Sequence, residues 1–256
     1  MKLTITILGC GTSIGVPSIN GNWGVCDPKN SKNYRSRCSL HILRGNNSVV
    51  VDTSPDLRAQ CLKNNIKNIS SVIYTHEHAD QTHGINDLRA IFLKNKKKIN
   101  IYGNNETINY LKSNFTYCFK TTFGYPSILN ANKIKKKFSL GYKKNKINFE
   151  SFEVEHGKIN SVAYIFEKIA YLSDCSNLTK SNLNKLKNLD LLFIDCLRFN
   201  DHYSHLTYSK VLNIISLIKP KKTILTNLNN EMDYNYLLKI LPKNIKPGYD
   251  GMKFKI

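Results

Sequence analysis

No stretch of this chain approaches the ~18–20 consecutive apolar residues that a membrane-spanning helix requires. The first residues, Met1 to Leu8, alternate as a strand does and lack the apolar core and small-residue cleavage site of a signal peptide. The expectation is a cytoplasmic protein with no membrane partner. Cys-x-x-Cys is also missing. The cysteines, Cys10, Cys26, Cys38, Cys61, Cys118, Cys175 and Cys196, are scattered and odd in number, which argues against a disulfide framework and suits a reducing compartment. No Gly-Lys-Ser/Thr follows Gly9-Cys10-Gly11-Thr12-Ser13, so this glycine turn is not a phosphate-binding P-loop. There is no internal repeat and no Gly/Ser- or Pro-rich linker, so residues 1–256 read as one domain. Acidic residues are scarce: 18 against 38 Lys and Arg, a formal charge of +20. That balance favours an anionic partner, either a phosphorylated metabolite or a nucleic acid. The basic runs Lys94 to Lys98 and Lys133 to Lys137 carry no interleaved aromatics, which favours solvated faces over a nucleic-acid groove.

What the chain does have is Thr75-His76-Glu77-His78-Ala79-Asp80-Gln81-Thr82-His83-Gly84. This stretch lies between a β-type run, Ser71 to Tyr74, and a segment readable as helix, Ile85 to Phe92. His76 and His78 are two apart, so in an extended segment they point to one side, and Asp80 repeats the step. Imidazoles with a carboxylate suit zinc, manganese or iron better than calcium.

Elsewhere, strands end in polar residues. Ser39–Arg44 and Ser48–Val51 read as a hairpin delivering Asp52, either a helix cap or a support for neighbouring ligands. Asp56 to Lys63 is a helix. Ile99 to Tyr102 is a strand and Glu106 to Phe115 a helix. Residues 18–38 and 118–145 read as long loops, the second with Phe123, Tyr125 and Pro126 as packing or pocket residues. Cys26 and Cys38 are a loosely spaced pair for a small zinc site. Ile147 to Val154 alternates and ends near His156-Gly157. Ala170 to Ser173 runs into Asp174, which as a bare residue caps the helix after it. Leu189 to Asp195 is a buried strand. It precedes a loop with His202 and His205, candidates for substrate contact or general acid work. Tyr208 to Ile218 is a helix and Lys222 to Leu225 a strand.

The loop at 76–83 resembles the His-x-His-x-Asp-His signature of the metallo-β-lactamase-fold hydrolases. The opening Gly-x-Gly-x-Ser and the tail Asp250-Gly251-Met252 resemble the branch of phosphoribosyl cyclic phosphodiesterases. The resemblance runs in order through Asp52, His76, His78, Asp80, His156, Asp174 and His205. It implies an α+β fold, an αββα sandwich of two mixed β-sheets flanked by helices. It implies that His76, His78, His156 and Asp174 hold a first metal, zinc or manganese, and that Asp80 and Asp174 share a second. Asp52 would orient the metal loop, and His205 would assist the leaving group. Two positions depart: the family's second-metal histidines fall at Gln81 and, in the turn after Thr226, at Asn229. His83 is a candidate substitute.

The function this implies is a metal-dependent hydrolase, a phosphodiesterase acting on a small phosphorylated or cyclic-phosphate metabolite drawn in by Arg and Lys near the mouth. His202 would contact substrate. The rivals are a nuclease of RNA ends or single-stranded DNA, and a non-catalytic binding scaffold with a degenerate second metal site. A homodimer is compatible with the sequence.

Overall fold

The computed structural model describes residues 1–256. Its strands fall into two sheets of seven. The first takes β1 (Leu3–Gly9), β2 (Ser39–Arg44), β3 (Asn47–Val51), β4 (Ser71–Ile73), β5 (Ile99–Gly103) and β6 (Leu129–Lys133). The second takes β7 (Lys137–Leu140), β8 (Ile147–His156), β9 (Ile159–Phe166), β10 (Ile169–Leu172), β11 (Leu191–Asp195), β12 (Thr223–Thr226) and β13 (Ile245–Pro247). The chain then returns to the first sheet as β14 (Lys253–Lys255), against β1. Both sheets are mixed: β3 to β6 run parallel, as do β10 to β13, and the remaining pairs are antiparallel.

Strand periodicity explains the layering. Val49 and Val51 pack with Ile5, Phe149, Tyr164 and Phe193 in a core between the sheets. Val50, one residue out of phase, packs instead with Leu57, Leu88, Ile108 and Leu111 on the outer face of the first sheet. Those four come from the helical layer of α1 (Leu57–Lys63), α2 (Ala79–Thr82), α3 (Leu88–Asn95), α4 (Asn105–Asn114) and α5 (Thr116–Phe119). In β11, Leu191 and Phe193 face the central core. Leu192 and Ile194 face the second helical layer of α6 (Lys180–Lys185), α7 (Tyr208–Ile218) and α8 (Tyr234–Ile240). Strands covered on both faces lose their polar alternation, hence runs such as Leu191 to Ile194. The result is the αββα sandwich that the resemblance implies.

Two expectations change. Residues 118–145 are not one loop, because they contain α5 and the edge strands β6 and β7. An edge strand faces a core on one side only, and Lys133 and Lys137 blunt its open side, so its hydrophobic signal is thin. Phe123 and Tyr125, in the turn between α5 and β6, do not pack inward. Phe123 is fully exposed, and Tyr125 lies under the Arg89 guanidinium, 5.1 Å away.

The 18–38 segment has one short helical turn, Ser31–Asn33, and is pinned by Arg35. This arginine is 1% exposed and donates to the Met232 and Asn229 carbonyls at 2.7 and 3.1 Å. Cys26 and Cys38 do not form a metal pair. Cys26 accepts from Arg35, while Cys38 donates to the Gly11 carbonyl and contacts Thr226, and neither belongs to a ligand cluster.

Candidate metal centre

The site lies where β3, β4, β10, β11 and β12 end, the edge at which parallel strands present loops to a ligand. The ends deliver Asp52, the 75–83 loop, Asp174, Asp195 and Asn227, and the antiparallel β8 brings His156.

Asp52, at φ 63°, turns its carboxylate onto the next strand end. It accepts from the Thr75 backbone N–H at 2.8 Å and from the Thr75 hydroxyl at 2.9 Å. With that proton committed, Thr75 Oγ1 accepts from His76 Nδ1, 3.0 Å away. His76 Nε2 is then a bare lone pair. His156 Nδ1 donates to the Ser204 carbonyl at 2.6 Å, which leaves its Nε2 bare too. Both lone pairs meet His78 Nδ1, at 2.9 Å from His76 and 3.3 Å from His156. Burial, together with the neighbouring histidines and against the pull of Asp174, holds His76 down at about 3, so its imidazole is neutral. Three imidazole nitrogens aimed at one point, two of them fixed in tautomer by outer hydrogen bonds, are the donor set of a cation site. Asp174 adds a carboxylate whose Oδ1 lies 3.9 Å from His156 Nε2. Nitrogen-rich ligation of this kind suits zinc and accommodates manganese.

Asp80 enters differently from the extended pattern. His78 precedes α2, and Asp80 sits in its first turn, so a helical turn rather than a strand repeat carries it inward. Its neighbour Gln81, fully buried, donates through Nε2 to Asp80 Oδ2 at 3.1 Å and to Asp174 Oδ2 at 3.2 Å. Burial and the nearby Asp174 raise Asp80 to about 6.

Two expected residues lie elsewhere. His83 is exposed at the end of α2 and packs edge-on against Phe115, 5.3 Å between ring centres. Asn229 caps its own turn, accepting from the Glu231 N–H, and faces away. The asparagine in the site is Asn227, which lies directly after β12 at φ 61° and donates to Asp174 Oδ1 at 3.2 Å. A strand end one residue past Thr226 was the signal; several nearby asparagines masked it.

Asp195 is the main residue that sequence reasoning left without a role. It ends a buried apolar strand just as Asp52 and Asp174 follow theirs, and that shared pattern was readable. Its Oδ2 accepts from His205 Nδ1 at 2.8 Å. Burial alone would lower His205, but Asp195, with Asp174 and Asp80 behind it, raises it to about 9. His202 stands beside it, 5.1 Å between ring centres, and stacks on Tyr203. Arg35 and Arg37 do not serve the mouth as free cations: the first is buried, and the second pairs with Asp56 at 3.0 Å.

Comparisons with known proteins place the chain by family and by fold. The sequence profile of the beta-lactamase superfamily domain matches residues 47–226. A crystal structure described as a new diphosphatase from the PhnP family is 30% identical, covers 100% of this chain and 98% of its own, and superposes with a TM-score of 0.91. Zinc-bound PqqB from Methylobacterium extorquens, 15% identical over 99% of this chain and 100% of its own, gives 0.80. The short form of human tRNase Z, 18% identical over 98% of each chain, gives 0.69. These last two speak for the fold alone. Among curated sequences, an octanoyltransferase of Porphyromonas gingivalis (strain ATCC BAA-308 / W83) is 29% identical over 250 residues, 96% of this chain. The chain spans 50% of that relative's length.

Proposed function

Since the chain belongs to the β-lactamase superfamily and is a hydrolase of the metallo-β-lactamase fold, we propose that it hydrolyses a phosphodiester or diphosphate bond in a small phosphorylated or cyclic-phosphate metabolite. The observation that carries this reading is the His205–Asp195 pair set beside the converging imidazoles. A hydrolase that expels an alkoxide or phosphate needs a proton donor next to its electrophile, and a histidine held protonated by a buried carboxylate supplies one. The diphosphatase at 30% identity supports phosphoryl chemistry.

In this reading His76, His78, His156 and Asp174 hold a divalent cation, zinc or manganese. When bound, it supplies Lewis acidity to water and to the phosphoryl group. The chain does the rest. Water gives its proton to the Asp80 carboxylate as its oxygen bonds phosphorus. The bond from phosphorus to the leaving oxygen breaks on the opposite side, and His205 gives that oxygen the proton on its Nε2. Asp195 keeps the ring oriented through Nδ1 and stabilises its charge. His202 and Tyr203 border the path of the leaving group. The nuclease reading has net charge and the fold shared with the short form of human tRNase Z behind it, but no basic-aromatic groove. The binding-scaffold reading is weakened by how completely the imidazole donors converge.

The test is turnover of bis-p-nitrophenyl phosphate by chelator-treated protein before and after loading with zinc or manganese, alongside Asp195→Asn. Expected are turnover only after loading, and a loss in kcat of about 100-fold in D195N with metal content unchanged. Equal turnover with and without metal, or full activity in D195N, would overturn the assignment.

A further inference from the structure

Asp80 and Asp174 are acceptor-only groups when ionised, and they stand close enough for one amide to reach both. Two such carboxylates in a buried site repel each other unless something positive or hydrogen-bonding lies between them. Here Gln81 fills that role. Its Nε2 offers one N–H to Asp80 Oδ2 at 3.1 Å and the other to Asp174 Oδ2 at 3.2 Å. The Ser173 hydroxyl adds a donor to Asp174 Oδ2 at 2.7 Å, and Asn227 Nδ2 one to Oδ1 at 3.2 Å. Gln81 and Asn227 are 0% and 1% exposed, so neither amide is swung out by solvent.

A cation shared by Asp80 and Asp174 would need the space that the Gln81 amide nitrogen takes, and an amide nitrogen has no lone pair to give it. The Gln81 carbonyl oxygen, which could ligate, has no partner at all and is directed away from the carboxylates that its nitrogen contacts. His83 is packed on Phe115 and belongs to neither group of potential ligands, His76–His78–His156 or His156–Asp174–His205. In the second group His205 already commits its Nδ1 to Asp195 Oδ2 at 2.8 Å and stands 4.0 Å from Asp174 Oδ1.

We propose that this centre holds a single divalent cation, at His76, His78, His156 and Asp174, and that the Gln81 and Asn227 amides clamp Asp80 and Asp174 where a second cation would sit. The proposal rests on the metal-centre reading above. Asp80 is thereby left free of metal, as a proton acceptor with a fixed orientation.

The experiment is metal counting on the full chain. Protein stripped with chelator is reloaded with excess zinc or, separately, manganese, passed over a desalting column and analysed by elemental mass spectrometry. Cobalt(II) titration of the stripped protein, followed by its visible absorption, gives an independent stoichiometry. One metal per chain, with the cobalt signal saturating at one equivalent, is the expected result. Gln81→His combined with Asn227→His is expected to raise the count to two. Two metals per wild-type chain would overturn the single-cation proposal while leaving the metal centre intact. A count that stays at one in a folded double variant would also overturn it, because the amides would not be what excludes the second ion. No metal in wild-type protein that is folded by circular dichroism would sink the metal-centre reading itself, and this inference with it.

Discussion

At the residue scale, function in this chain depends on which nitrogen carries a proton. Thr75 and the Ser204 carbonyl each take an imidazole N–H, and that is what leaves His76 and His156 with lone pairs facing His78. Replacing His156 by Ala should therefore cost more than a weakened contact. The expected outcome is loss of bound metal, and a fall in phosphodiester turnover of about 1000-fold or more, measured by metal analysis and steady-state kinetics. Away from the site, His41 offers a test by acid. It is buried in β2, bonded to Ser48 at 2.8 Å, and burial, helped by Lys253, lowers it from 6.5 to about 4. Below pH 6.5 the unfolded chain takes up a proton there and the folded chain does not, so stability falls as pH drops through this window. His41 should account for a loss of about 2 kcal/mol between pH 7 and pH 5. His41→Gln should lack that component in denaturant titrations at the two pH values. The residue scale is also where the sequence misled. An Asn-rich turn, Asn227 to Asn230, does not announce which asparagine points inward. The answer depends on where β12 stops and on a left-handed φ that asparagine tolerates well.

At the scale of elements, the site is a set of strand ends, and what was legible was the strands. Val49 to Asp52 and Leu191 to Asp195 declare themselves by apolar runs that stop at a polar side chain, and Ile147 to His156 by its alternation. The helix α7 was legible from end to end, because Val211, Ile215 and Ile218 recur at helical spacing on its buried face. Strands β6 and β7 were not, since an edge strand buries one face and these carry Lys and Asn on the other. The α2 turn was hidden too, because four residues cannot show a period. Asp52 couples two elements by clamping Thr75, so Asp52→Ala should loosen the metal loop without removing a ligand. A 10- to 100-fold weaker metal affinity is expected for D52A by competition with a chromophoric chelator. Arg35 ties the 18–38 segment to the turn at 229–232. Arg35→Ala leaves buried carbonyls unpaired and should destabilise the fold by roughly 1–3 kcal/mol in urea titrations.

At the scale of the whole molecule, the sandwich explains why residues from one end of the chain to the other share one site: each layer contributes the ends of its parallel strands to the same edge. No helix is long and apolar enough to cross a membrane. A cation bound by side chains from both sheets links them only in the folded state, so its removal should lower stability. With free metal at 100 times its dissociation constant the difference is about 2.7 kcal/mol. For a chain of this size that corresponds to a fall of about 5–10 °C in Tm on chelation, readable by scanning calorimetry.

The hydrogen bond from His156 to the Ser204 carbonyl has a consequence of its own. One end of that imidazole faces the cation position, and the other grips the loop that carries His202 and His205. Whatever settles the ring settles the loop. Amide hydrogens across residues 201–206 should exchange with deuterated water more slowly once the protein is loaded, although none of them touches the ion. The loop would then keep time with the occupancy of the centre.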